Sequence, residues 1–227
     1  MARTENVILV HGAWADGSAW AKVLPLLADA GLTAVAIQMP LTSLADDVAV
    51  LKRALSLVSG PTLLVGHSYG GAVITEGGSD PTVTGLVYID GFAPDAGESA
   101  GSLGAGGAPT SLPDNLLPDA QGFLKLTRKG VELSFAHDLT PAEQALIFAT
   151  QGPVSGPLAL GAEISAPAWK TKPCWYLRGT NDQAIHPKLQ AMMAQRMEAV
   201  TVDTDSSHVP MLSQPRKVLD LILQAAG

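Results

Sequence analysis

The chain has 227 residues, a formal net charge of -7 and only 15% charged residues, which suits one domain with a substantial core, or a domain carrying a modest insertion. An acidic balance with no dense Lys/Arg patch argues against nucleic acid or an anionic membrane surface as a partner. Cys174 is the only cysteine, so an internal disulfide and the Cys/His spacings of a structural zinc site are both excluded, and a reducing compartment is expected.

In chain order, "MARTENVILVHG" holds an apolar run too short for a signal peptide or a membrane span, and a cytoplasmic protein with no membrane association is expected. Residues 7–10, 33–37, 62–65 and 86–89 are short apolar runs rich in β-branched side chains, the pattern of strands buried on both faces of a parallel sheet. Between them, residues 19–30 place Trp20, Val23, Leu24, Leu27 and Ala30 at helical spacing before Gly31. Residues 44–58 repeat Val48, Leu51, Leu55 and Val58 before Gly60-Pro61. Strand, helix, strand, helix is the signature of a doubly wound α/β sheet.

The alternation breaks after Phe92. Residues 93–117 read as loop, and helical patterns are expected at 118–126 and 141–150, each opening on proline where a missing N–H costs nothing. The α/β pattern returns with a strand at 174–177, a helix at 187–197, a strand at 199–202 and a final helix at 214–226. The predicted organisation is therefore an α/β core made of residues 1–92 and 170–227, with a mostly parallel sheet, and a small helical cap, residues 93–169, inserted after the strand that ends near Asp90.

Gly66-His67-Ser68-Tyr69-Gly70 matches GxSxG and lies between an apolar strand and the helical stretch 71–76. A nucleophile elbow needs that context, because its serine occupies a strained strand-to-helix turn and the flanking glycines avoid collisions. A serine hydroxyl needs a base to accept its proton and a carboxylate to orient that base. Of five histidines, His208 in "DSSHVPMLSQP" follows the last predicted strand, the expected place of the base. Asp182 in "LRGTNDQAIHP" follows the penultimate strand and is the first candidate for the acid; Asp90, closing "LVYID", is the alternative. Oxyanion donors are expected from the Tyr69 N–H and from Ala13 or Trp14 in "HGAW". His67 is expected beneath the elbow, His186 at a helix start and His137 on the cap surface. Trp14, Tyr69, Phe92, Phe123 and Trp169 are candidate pocket walls, with core packing the plain alternative for each. "HGAWADGS" lacks the GxGxxG spacing and no GxxxxGK[ST] occurs, so no cofactor is expected, and no metal.

"ILVHGAWADGSAW", "LLVGHSYGGAVITE", "LVYIDGFAPDAGES", "WYLRGTNDQAIHP" and "SHVPMLSQP" resemble the compact α/β-hydrolases of the esterase and hydroxynitrile-lyase-like branch, including plant-type methylesterases. The resemblance spans most of the chain and weakens between residues 101 and 169. It implies an α/β-hydrolase fold, a Ser68, His208, Asp182 triad, and a small-molecule ester substrate cleaved through an acyl-enzyme by a monomer or homodimer. The plant lyases carry a lysine immediately after the catalytic histidine, where this chain has Val209, and a threonine in the oxyanion loop, where it has Ala13. Both departures favour ester hydrolysis over a hydroxynitrile-lyase-like or other cofactor-free lyase. A non-catalytic small-molecule binding protein is the alternative from a different class.

Overall fold

The computed structural model describes residues 4–227; residues 1–3, part of the stretch read above as lacking a leader, lie outside the described residues. The chain begins with β1 (Asn6–Val10), a 3-10 turn (Gly17–Trp20), α1 (Leu24–Asp29), β2 (Thr33–Ala36), α2 (Leu44–Ser56), β3 (Thr62–His67), α3 (Tyr69–Gly77) and β4 (Val83–Ile89). An insertion follows, with α4 (Ala100–Gly106), β5 (Leu116–Pro118), β6 (Phe123–Leu126), α5 (Arg128–Gly130), α6 (Pro141–Thr150) and β7 (Val154–Ser155). The chain then closes with β8 (Cys174–Gly179), α7 (Pro187–Arg196), β9 (Val200–Thr204), α8 (Pro210–Ser213) and α9 (Pro215–Ala226).

Six strands form one sheet in the order β2-β1-β3-β4-β8-β9, and every pair in it is parallel. The apolar runs of β1 and β3 are buried at every position because both strands are central. β2 departs from the expected double burial: it is the sheet edge, and its exposure alternates, with Thr33 and Val35 facing solvent. From β1 the chain steps one way to β2 and then back past β1 to β3. Right-handed crossovers therefore put α1 and α2 on opposite faces. Leu44, Val48, Leu51 and Leu55 make the buried stripe of α2, which packs against α3, while α9 lies over β3, β4 and β8. The close α2–α3 approach runs through Gly77, where a Cβ would come 2.8 Å from Leu51 Cδ2.

The insertion is not purely helical. The helix expected at 118–126 is instead an antiparallel hairpin, β5 with β6, extended by β7. Asp119 diverts it: its Oδ1 accepts from the Gln121 N–H (2.8 Å) and the Phe123 N–H (2.9 Å), and Gly122 turns the chain at φ 81°. The proline opening therefore marks a turn. Conversely, the stretch read as loop contains α4, started by a reciprocal Ser99–Ser102 capping box. Its glycine-rich composition masks a helix that needs small residues, since a Cβ on Gly101 would meet Leu160 O at 3.1 Å. The α6 helix forms where expected, capped by Thr140 and Glu143 with Pro141 in its first turn. Among the described residues no helix is long and apolar enough to cross a membrane.

Candidate active site

The sheet reverses its winding between β1 and β3, and the crevice outside the carboxyl ends of such strands is where doubly wound sheets bind ligands. β1 runs out into His11–Gly12–Ala13–Trp14 and β3 into Ser68. Ser68 has φ 51° and ψ -122°, a conformation that costs about 1–3 kcal/mol for a residue with a side chain. Its surroundings hold it there: its N–H donates to Ile89 O (3.2 Å), and its carbonyl accepts from the Gly71 and Phe92 N–H groups, both at 2.9 Å. Glycine is required on either side. A Cβ on Gly66 would lie 2.5 Å from Gly70 O, and one on Gly70 would lie 2.5 Å from Val10 O and 2.6 Å from His11 O.

Because all six strands are parallel, the segments after β8 and β9 open at the same edge as Ser68. His208 Nε2 lies 2.8 Å from Ser68 Oγ, and His208 Nδ1 lies 2.7 Å from Asp182 Oδ2. All three residues are buried, Asp182 completely. Asp182 Oδ1 also accepts from the Ala184 (2.7 Å) and Ile185 (3.0 Å) N–H groups, and Oδ2 from Gln190 Nε2 (2.7 Å). With His208 Nδ1, these four donors hold the carboxylate in one orientation. The Nδ1 contact falls to Asp182; Asp90, the alternative, is also fully buried, but its Oδ1 accepts from the Gly179 N–H at 2.5 Å.

Two further histidines fix the loops. His67 donates from Nε2 to His208 O at 2.7 Å, so the residue before the serine holds the backbone of the histidine opposite. Burial, reinforced by the neighbouring His208, pushes the His67 pKa well below the usual imidazole range, and the ring is neutral. His11 Nε2 accepts from the Met39 N–H (3.0 Å), which leaves Nδ1 as the donor to Gly12 O (2.8 Å). Burial lowers its pKa too. In a planar trans peptide the N–H opposes the C=O, so gripping Gly12 O turns the Ala13 N–H the other way. The Ala13, Trp14 and Tyr69 N–H groups donate to no protein acceptor among the described residues.

Ser68 and His208 open into a cavity of about 260 Å³ whose walls include Ala13, Trp14, Phe92, Leu112, Leu160 and Ile185. Tyr69 borders it, but its hydroxyl is tied to Asp47 Oδ2 at 2.8 Å. Phe123 and Trp169 do not line it. Trp169 is drawn into packing below, its indole N–H donating to Pro94 O (2.9 Å) with Arg196 over its ring, and Phe123 sits half-buried on β6. His186 caps α7, its Nδ1 accepting from the Lys188 N–H, and His137 lies half-buried in the insertion. Sequence patterning missed Phe135, from the insertion, whose ring stands 5.0 Å from that of His208 and edge-on to Trp14 at 6.0 Å. A second cavity of about 290 Å³ shares Trp14 as a wall and is otherwise bounded by Phe135, Lys22, Leu146 and Val209.

A profile described as the alpha/beta hydrolase family matches residues 7–221. A probable hydrolase, R7, of Phoma sp. is 25% identical over 97% of this chain and 98% of its own length. A carbendazim hydrolyzing esterase of Nocardioides sp. is 35% identical over 48% of this chain and 49% of its own. Among solved structures, a pyrethroid hydrolase from Sphingobium faniae superposes with a TM-score of 0.83 at 22% identity, covering 98% of this chain and 97% of that one. Polyneuridine aldehyde esterase does so with a TM-score of 0.83 at 18% identity, covering 99% and 100%. With a profile match over nearly its whole length and a six-stranded parallel sheet carrying a strained serine at its switch point, the chain belongs to the alpha/beta hydrolase family.

Proposed function

We propose that this chain is a serine hydrolase that cleaves small carboxylic esters through an acyl-enzyme. The observation that carries the reading is the buried line from Ser68 Oγ through His208 to Asp182, with contacts of 2.8 and 2.7 Å. His208 Nε2 takes the Ser68 proton as the oxygen attacks the ester carbonyl; Asp182 holds the Nδ1–H tautomer and stabilises the imidazolium that forms. The Tyr69 N–H and that of Ala13 or Trp14 receive the oxyanion, and His208 returns its proton to the departing alcohol. Water activated by the same base then releases the acid. The insertion acts as a cap, laying Phe135 against His208 and contributing Leu112 and Leu160 to the apolar cavity, whose volume suits a small substrate. The hydrolase and esterase relatives support the same chemistry.

The test is covalent. A fluorophosphonate should label the native chain once, at Ser68, and Ser68→Ala should abolish both labelling and p-nitrophenyl acetate turnover while remaining folded. Mandelonitrile cleavage, measured alongside, should be absent. An unlabelled, folded native chain would point to a binding protein.

A further inference from the structure

Three buried polar atoms behind the Asp182–His208 pair have no partner among the described residues: Asp90 Oδ2, Gln190 Oε1 and Ser206 Oγ. Asp90 directly follows β4 at φ 43°, another strained position at this edge, and is fully buried. Atoms of Asp90, Asp182 and His208 lie within 4.8 Å of one another. Two carboxyl groups thus share a fully buried space beside the imidazole of His208. Both cannot be ionised there without a large penalty.

The proton has a determinate place. Asp182 collects four hydrogen-bond donors, whereas Asp90 accepts from the Gly179 N–H on Oδ1 and otherwise has only the Gln190 side chain, already committed to Asp182 Oδ2, as a donor nearby, so the shared proton is assigned to Asp90 Oδ2. That oxygen crowds the same side of Gly179 as two acceptors from the turn leading to His208. A Cβ on Gly179 would lie 2.9 Å from Asp90 Oδ2, 2.9 Å from Ser207 O and 3.0 Å from Ser206 Oγ.

We propose that Asp90 is a positioning residue working as a neutral carboxylic acid: one oxygen accepts from Gly179, at the root of the Asp182 loop, and the other donates to the Ser206–Ser207 turn, at the root of the His208 loop. It ties acid and base together and leaves Asp182 the single negative charge behind the imidazole. Burial, with the charge of Asp182 next in effect, pushes the Asp90 carboxyl well above the usual carboxylate range. The titratable groups facing it are Asp182 and His208 from the two loops, Tyr176 from β8 and Asp138 from the insertion. This assignment rests on the reading of Ser68, His208 and Asp182 as the reacting set.

Asp90→Asn retains an acceptor and a donor but has no titratable proton. It should keep kcat/KM for p-nitrophenyl acetate within about threefold of the native value, with an unchanged pH profile. Asp90→Ala removes both contacts and should lower kcat by about 10–100-fold with little change in KM. Infrared difference spectroscopy at about pH 8, where other carboxyl groups are ionised, should find a carboxylic-acid carbonyl band in the native chain that Asp90→Asn abolishes. Absence of the band in the native chain, or its survival in Asp90→Asn, overturns the proposal. So does an Asp90→Asn variant as impaired as Asp90→Ala, which would make the ionised carboxylate the working form. Fluorophosphonate labelling of the same samples separates the two readings: a labelled native chain without the band leaves the hydrolase standing and removes only the neutral acid.

Discussion

Asp138, in the insertion, accepts two hydrogen bonds from Ser207, one from its N–H at 2.8 Å and one from its hydroxyl at 2.5 Å. Ser207 precedes His208, so the insertion grips the loop of the proposed base as well as roofing its cavity. Asp138→Ala should lower kcat by about tenfold, with KM for a small ester nearly unchanged, because the imidazole loses a positioning contact rather than a substrate contact. Asp138→Asn, which keeps one acceptor, should recover part of the loss. Steady-state kinetics on p-nitrophenyl acetate decide it.

A pH dependence follows from Asp47 on α2. It is fully buried, accepting from the Leu41 N–H (2.9 Å) and the Tyr69 hydroxyl (2.8 Å), and burial raises its pKa to about 6. A folded pKa above the unfolded value of about 3.9 means that the protonated form stabilises the fold. That contribution is fully present below about pH 4 and is lost as pH rises towards about 6. The native chain should therefore lose stability relative to Asp47→Asn across this interval, at up to about 1.4 kcal/mol per pH unit. Urea unfolding of both proteins at several pH values measures the difference; parallel curves would exclude it.

Gly70→Ala should cost more than about 2 kcal/mol or prevent folding, because the new methyl meets the Val10 and His11 carbonyls, backbone atoms that cannot swing aside. Gly106→Ala is the contrasting substitution. No atom lies within 4 Å of its Cβ position and its φ is not positive, so it should raise stability by up to about 1 kcal/mol. Thermal unfolding should separate the two in opposite directions.

Trp14 separates the cavity of about 260 Å³ at Ser68 from the cavity of about 290 Å³ beside Lys22 and Leu146. Trp14→Ala should join the two. Relative kcat/KM across a series of p-nitrophenyl esters should then shift towards longer acyl chains, while the backbone amides at residues 13 and 14 remain available. An unchanged preference would place the size limit elsewhere.

The core strands and the serine turn were legible in the sequence because their causes are local: a buried central strand must be continuously apolar, as Val7 to Val10 are, and a turn this tight must be flanked by glycine, as at Gly66 and Gly70. Chain order placed His208 and Asp182 at the same sheet edge as Ser68, since parallel strands send all their exits one way. The insertion resisted reading. Whether Pro118 begins a helix or ends a strand depends on Asp119 capturing two amides and on pairing with β7, which lies far along the chain. Phe135 and Asp138 gave no signal because their partners, His208 and Ser207, are distant in sequence. Trp169 was read as a pocket wall from aromatic character alone, which does not distinguish a wall from a packed core residue.

On the proposed reading of Ser68 as the nucleophile, its backbone, held at φ 51° by amides from two neighbouring segments, sets turnover against thermal hardness at a single position. Glycine would rest there without strain and would make a sturdier, inert protein. Improving the robustness of this chain while keeping its chemistry therefore means working far from the crevice, for example along the half-exposed margin formed by β2.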